Sequence, residues 1–111
     1  MSLDPAQLVG LLRGLLADDA RDRWANAETV TDLCADMSSA ESHMIATVLA
    51  GVAVWETNGA AREAELHALA ELHEWGTTTP DTAQLLRRLD RSTIAGSEIE
   101  YVAYLTAEPS R

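Results

Sequence analysis

The sequence contains no lysine, so its eight basic residues are all arginines, and 18 aspartates and glutamates outnumber them. The formal net charge of -10 disfavours a role in nucleic-acid binding, because contacts with phosphate groups need basic side chains. The surface of a basic protein matches such a chain better, because opposite charges favour association. We therefore expect a protein partner with a basic surface and no nucleic-acid partner.

The chain is also poor in cysteine and lacks a long apolar run. Its one cysteine, Cys34, excludes an internal disulfide, and no N-terminal stretch combines a positive segment, an apolar run and a cleavage site. The longest apolar run, HMIATVLAGVAVW at 43–55, is shorter than the roughly 20 residues that span a membrane. These features predict a cytoplasmic protein with no membrane role.

Helix signals divide the first part of the chain. Asp4 and Pro5 are an N-cap and a first helical residue, and leucines then recur at helical spacing, which predicts helix one over 5–17. The acidic break ADDA provides caps for helix two, which we expect to reach Met37.

Helix three is predicted from the capping-box spacing of Ser38 and Glu41 ahead of the apolar run. The dipeptide NG at 58–59 is a favoured C-terminal stop for it. The run is rich in β-branched residues, but its unbroken length favours a helix over a strand. Because it is apolar nearly all round, we expect it to be covered on more than one side.

Three further helices follow. AREAELHALAELHEWG at 61–76 predicts helix four, which Gly76 ends. Thr79 and Pro80 predict the start of helix five, which we expect to reach Arg91. STIAG is a linker, and Ser97 with Glu100 has capping-box spacing for helix six.

The six helices predict an all-α single domain over 1–111, built from three helix pairs that begin near residues 5, 40 and 80. LLADDARDRWANAETVTDLC resembles the HEAT-repeat pattern, in which an acidic break precedes an arginine and small residues on the second helix. AREAELHALAEL is similar to that helix in another repeat, whereas TTTPDTAQLLRRLD lacks the acidic break. The resemblance implies a short HEAT-like stack of about three antiparallel helix pairs, and HEAT-like proteins are usually binding scaffolds rather than enzymes.

Acidic residues recur on one side of each second helix of the pairs. Equivalent helices of a stacked solenoid line one surface, so the three stripes are predicted to merge into one partner-binding face. The alternative is that they only keep the surface soluble, although the arginines cluster separately at 87, 88 and 91. The predicted binding residues are Glu28, Asp32 and Asp36 of helix two, Glu63, His67, Glu71 and Glu74 of helix four, and Glu100 and Tyr104 of helix six, with Glu108 continuing the last stripe.

Catalytic and metal sites are not expected. His67 and Glu71 are spaced i and i+4 and provide two metal ligands at most, while His73 lies about 120° away from His67 on the helix. No acidic residue is placed by sequence to complete a triad with Ser42 and His43, and no glycine-rich phosphate loop occurs. We therefore expect no enzyme activity and no cofactor.

Trp24, Trp55 and Trp75 are in register with small apolar neighbours, which favours core packing over interface anchoring. The function that these features favour is binding of a basic protein through an acidic surface, for example by an immunity-like or antitoxin-like protein that covers a toxin. The alternative is a homodimer held together by the tryptophans and helix three. A third alternative is a metal-dependent hydrolase around His67 and Glu71.

Overall fold

The computed structural model describes residues 1–107, which form six α-helices and two 3₁₀ turns with no β-strand among them. Glu108 lies outside the described residues. The predicted all-α fold is confirmed. The helices are α1 (Pro5–Leu15), α2 (Ala20–Leu33), α3 (Ser39–Trp55), α4 (Gly59–Glu74), α5 (Pro80–Leu86) and α6 (Ser97–Thr106), and the 3₁₀ turns are Cys34–Asp36 and Arg91–Thr93.

Local capping signals place several helix ends where the sequence predicts them. The carboxylate of Asp4 accepts a hydrogen bond of 2.9 Å from the backbone N–H of Ala6 at the start of α1. At α3, Ser38 Oγ accepts from the backbone N–H of Glu41, whose carboxylate accepts from that of Ser38 at 2.8 Å. This reciprocal pair satisfies two N–H groups that a helix start would otherwise leave without a partner.

Two predicted ends differ in the structure. Asn58 and Gly59 do not stop α3, which ends at Trp55; they start α4, because Asn58 Oδ1 accepts from the N–H of Ala61 at 2.9 Å. The predicted capping box of Ser97 does not form. Gly96 is the N-cap of α6 with φ of 59°, a left-handed conformation that glycine adopts without steric cost, and Ser97 is the first helical residue.

Helices one, two and five are shorter than predicted. Helix α1 ends at Leu15, α2 gives way to a 3₁₀ turn at Cys34, and α5 ends at Leu86. After α5, the backbone N–H groups of Arg88 and Leu89 bond to carbonyls three residues earlier, which is the pattern of tighter turns. Arg87, Arg88 and Arg91 therefore lie beyond helix five rather than on it.

The helices pack in two layers. Helices α1, α3 and α5 lie side by side in one layer, and α2, α4 and α6 in the other, with each odd-numbered helix against its successor. The molecule measures 37 × 37 × 19 Å, and its thin dimension is about two helix diameters. Short connections make the two helices of each pair antiparallel neighbours. This packing is consistent with a stack of three helix pairs.

The core lies between the layers and is built mainly from leucine and alanine. Leu15 of α1, Ile45 and Leu49 of α3, and Leu66 and Leu69 of α4 are each fully buried. Helix α4 contacts α2, α3 and α6, which makes it the central helix of its layer. No helix within 1–107 combines the length and the apolar character needed to cross a membrane.

The prediction that the tryptophans pack in the core is wrong. Trp24 is 44% exposed, Trp55 84% and Trp75 58%. Trp55 and Trp75 stand at or just after the last residue of their helices, where the helical register no longer directs a side chain to the core. On α2, the core positions are taken by Ala27 and Val30, which allow close helix packing and leave no room for an indole.

Candidate protein-binding surface

The layer of α2, α4 and α6 carries the predicted binding residues. Each of the nine side chains is at least partly exposed, so none of them is buried in the core. Asp36 belongs to the 3₁₀ turn after α2, because that helix ends three residues before it. The acidic stripe of α2 is therefore shorter than the sequence pattern predicts.

Five of the nine predicted residues come together in a shallow groove between α4 and α6, of about 330 Å³. Three of its lining residues are glutamates and none is an arginine. We call this the α4–α6 groove; it is lined by His67, Ala70, Glu71, Glu74, Glu100, Tyr101 and Tyr104.

Tyr101 also lines the groove, and it was not among the predicted binding residues. Its ring stacks on that of His67, with ring centres 5.5 Å apart and planes inclined by 18°. The only sequence signal for it was its spacing of three residues from Tyr104, which places both on one side of a helix. Recognising its role needed the position of α4, which the sequence did not provide.

The carboxylates of all three helices act on Tyr101. Burial raises the pKa of its hydroxyl, and the negative charges of Glu63, Glu100, Glu71 and Glu28, in that order, raise it further. Because Glu28 belongs to α2, Glu63 and Glu71 to α4, and Glu100 to α6, each helix of the layer contributes at least one carboxylate to the negative field at Tyr101. The other four predicted residues, Glu28, Asp32, Asp36 and Glu63, do not line the groove.

At the other end of the groove, Tyr104 bridges the two helices. Its hydroxyl donates to Glu74 Oε1 at 2.5 Å, and this bond, followed by burial, raises the pKa of Tyr104. The ring of Tyr104 also meets His73 edge-on, with ring centres 4.9 Å apart. His73 therefore packs against the Tyr104 ring but does not line the groove.

Around His67, in the described part of the chain, only two side chains that could bind a metal ion lie close together, His67 itself and Glu71. The Nε2 atom of His67 lies 3.5 Å from Glu71 Oε1, as expected for residues one turn apart. Within residues 1–107, no group of three or more His, Cys, Asp or Glu side chains is arranged to hold a metal ion.

A second cluster of charged side chains, which the sequence did not predict, consists of two ion pairs. Arg23 of α2 forms a double hydrogen bond with Glu56, from Nε to Oε1 at 2.7 Å and from Nη2 to Oε2 at 2.8 Å. Arg62 of α4 binds Glu98 of α6 at 2.5 Å and the carbonyl of Thr93 at 2.8 Å. The first ion pair joins α2 to the connection between α3 and α4, and the second joins α4 to α6.

Glu65 lies buried beside this ion-pair cluster with no exposed surface. Neither of its oxygens accepts a hydrogen bond from any described residue. Burial raises the pKa of Glu65 to about 9, and the negative charge of the neighbouring Glu56 carboxylate acts in the same direction. With this pKa, Glu65 is a neutral core residue at neutral pH, so the carboxyl groups of helix four do not all lie on its exposed face.

Comparison of the chain with protein-family models, with curated proteins and with solved structures found no match.

Proposed function

We propose that this chain is a small acidic helical scaffold that binds a protein partner through the α4–α6 groove, and that the partner presents arginine or lysine side chains there. The observation that supports it is that Glu71, Glu74 and Glu100 line one groove together with the Tyr101 ring. A charged surface of this kind speeds encounter with an oppositely charged partner and helps to fix its orientation.

The aromatic residues favour arginine over lysine in the partner. A guanidinium group binds a carboxylate with two parallel hydrogen bonds and stacks on an aromatic face, whereas an ammonium group provides a compact point charge. In this groove Glu71 and Glu100 supply the carboxylates for such hydrogen bonds, and Tyr101 supplies an aromatic ring. Tyrosine is also among the residues that dominate binding energy at interfaces.

Three helix pairs of this kind fit the HEAT-like repeat that we propose for the chain, in which equivalent helices line one binding surface. A protein of this size and charge suits a role as an immunity-like or antitoxin-like protein that covers the basic face of a toxin. In that role the acidic layer neutralises the toxin by occupying the surface on which its own substrate binds.

A dye-labelled octa-arginine peptide tests the proposal by fluorescence anisotropy. Replacing Glu71 and Glu100 together by Gln should weaken its binding about tenfold at low salt, and the difference should shrink above about 0.5 M salt. The matched control, Asp18→Asn with Asp81→Asn, changes the net charge equally but outside the groove. If both double variants weaken binding equally, the groove has no special role and the proposal fails.

A further inference from the structure

The layer opposite the acidic surface presents an uncharged apolar face. Helix α3 is the middle helix of that layer, with α1 and α5 on its flanks and α4 beneath it. The predicted coverage of this helix on more than one side is therefore confirmed, and its remaining side is open to solvent among the described residues. We call this side the α3 outer face; it consists of His43, Met44, Thr47, Val48, Gly51, Val52, Val54 and Trp55, each at least partly exposed and none an Asp, Glu or Arg.

The apolar surface continues onto α1. Leu16, which follows the last residue of α1, is 64% exposed and shares a shallow cleft with Val52 and Trp55. The Arg23–Glu56 ion pair also lines this cleft. Val9 of α1 is 46% exposed. Large exposed apolar patches on a protein surface commonly mark interaction sites.

Gly51 stands at the centre of the α3 outer face, and packing within the chain does not explain it. A Cβ atom built there would meet no atom within 4 Å. Gly14 of α1 is different, because a Cβ there would overlap with the side chain of Asn26 of α2, which would have to turn away. A glycine in the middle of an exposed helix weakens the helix, which makes sense where another backbone approaches closely.

We propose that the α3 outer face binds a second copy of this chain, with α3 packed against α3 across a two-fold axis near Gly51. Helix α3 has 17 residues and is therefore about 25 Å long, and α1 beside it widens the face to about 20 Å. Each copy then contributes roughly 500 Å², so that the dimer buries roughly 1,000 Å², the lower limit for a specific interface.

The charge distribution selects a second copy and this face. Two chains of net charge -10 repel each other unless their acidic layers point apart. Pairing through α3 places the two acidic layers on opposite outer surfaces, separated by most of two 19 Å slabs. That separation exceeds the screening length of about 8 Å at physiological salt, so repulsion between the layers is weak. A basic protein partner, by contrast, is attracted to the acidic layer, which the dimer leaves accessible.

Sedimentation equilibrium of the whole chain, from about 1 to about 100 μM, tests the dimer. The wild type should approach twice its mass of 12.0 kDa as concentration rises. Gly51→Gln and Trp55→Ser should each raise the dissociation constant at least about tenfold, because one blocks the close approach of the helices and the other removes apolar contact.

Two matched controls address exposed residues of the other layer. Ala25→Gln and Trp24→Ser on α2 should change the dissociation constant less than about twofold. Circular dichroism should show the variants of α3 folded like the wild type, since glutamine favours a helix more than glycine does. A wild type that stays monomeric at about 100 μM overturns the proposal, and so does a dimer that Gly51→Gln and Trp55→Ser leave unchanged.

Discussion

The hydroxyl of Tyr104 and the carboxylate of Glu74 meet at 2.5 Å, so a side chain of α6 is held directly by one of α4. This hydrogen bond joins the two helices beside the α4–α6 groove, which the stacked rings of Tyr101 and His67 also line. The two rings and the surrounding carboxylates therefore keep a defined spacing only as long as α4 and α6 remain packed. The binding surface that we propose depends on the whole layer rather than on one helix.

The ionisation of Tyr101 reports the negative field in the groove. Tyr104→Phe leaves Tyr101 as the single tyrosine, so its pKa can be followed by ultraviolet absorbance between about pH 9 and 12. We expect a pKa above the ordinary value of 10.0, because burial and the four glutamates disfavour the phenolate. Adding Glu63→Gln and Glu100→Gln should lower it. If that titration is unchanged by the two substitutions, the acidic stripes do not converge.

The buried carboxyl of Glu65 should make stability fall as pH rises. Below pH 4.5 it is protonated in both states; between 4.5 and about 9 the unfolded chain loses the proton while the folded chain keeps it. The folded state therefore loses stability across this window. Glu65→Gln keeps a neutral side chain, so its unfolding free energy should improve relative to the wild type, by at least about 1 kcal/mol between pH 5 and 9.

Urea unfolding at a series of pH values measures this difference. Glu63→Gln, which removes an exposed carboxylate from the same helix, is the matched control and should change stability little at any pH. A constant difference between Glu65→Gln and the wild type from pH 5 to 9 would show that Glu65 is ionised in the folded protein.

Glu56 should have the opposite pH dependence. Burial raises its pKa, but the hydrogen bonds from Arg23 and from the N–H of Asn58, together with the positive charge of Arg23, outweigh burial and bring it down to about 2. Its stabilising effect is therefore complete above pH 4.5 and is lost as pH falls towards 2. Glu56→Gln should lower the unfolding free energy at pH 7 by about 3 kcal/mol, since it leaves the partly buried Arg23 without its carboxylate.

Comparing the stability of Glu56→Gln with that of the wild type at low pH shows whether the loss comes from the ion pair with Arg23. The stability difference should shrink between pH 4.5 and about 2, as the wild-type carboxylate becomes protonated. Thermal unfolding followed by circular dichroism suffices for the comparison. A loss that is equally large at both ends of this range would assign the effect to packing and not to the ion pair.

Two glycines within helices should respond in opposite directions to alanine. Gly51→Ala should raise the unfolding free energy of the monomer by about 0.5–1 kcal/mol, because the new methyl group meets no atom and alanine favours the helix. Gly14→Ala should lower it by about 1–3 kcal/mol, because the methyl group overlaps with Asn26.

Adding Asn26→Ala to Gly14→Ala should recover part of that loss. Denaturant unfolding at the lowest workable protein concentration keeps dimer formation out of the comparison. If Gly14→Ala is as stable as Gly51→Ala, the close packing of α1 on α2 is not as described.

The sequence predicts the helices well where one short segment determines the outcome. Asp4 with Pro5 and Ser38 with Glu41 start helices through contacts within three residues, so no tertiary information is needed. The pair at 58–59 shows the limit, since Asn and Gly serve both ends of a helix and only the path of the chain decides between them.

The site could be predicted only in part, for the same reason. Helical spacing identifies which side of α4 carries His67 and Glu71, but Tyr101 lies on another helix and meets His67 only after folding. Spacing also cannot show that Glu65 is buried, because the acceptance of a carboxyl group in the core depends on Glu56 and the arginines around it. Trp55 and Trp75 were misplaced because a helical pattern does not indicate where the helix ends, and Trp24 because spacing does not show that Ala27 and Val30 take the core positions of α2.

The most direct test of the acidic-surface proposal is a nuclear magnetic resonance titration of the isotope-labelled chain with octa-arginine at low salt. We expect the largest shifts of backbone amide signals on α4 and α6, around Glu71, Glu100 and Tyr101, and almost no change in the signals of α1 and α3. Shifts spread evenly over every acidic segment, including Asp18 and Asp81, or centred on the α3 outer face, would contradict the proposal.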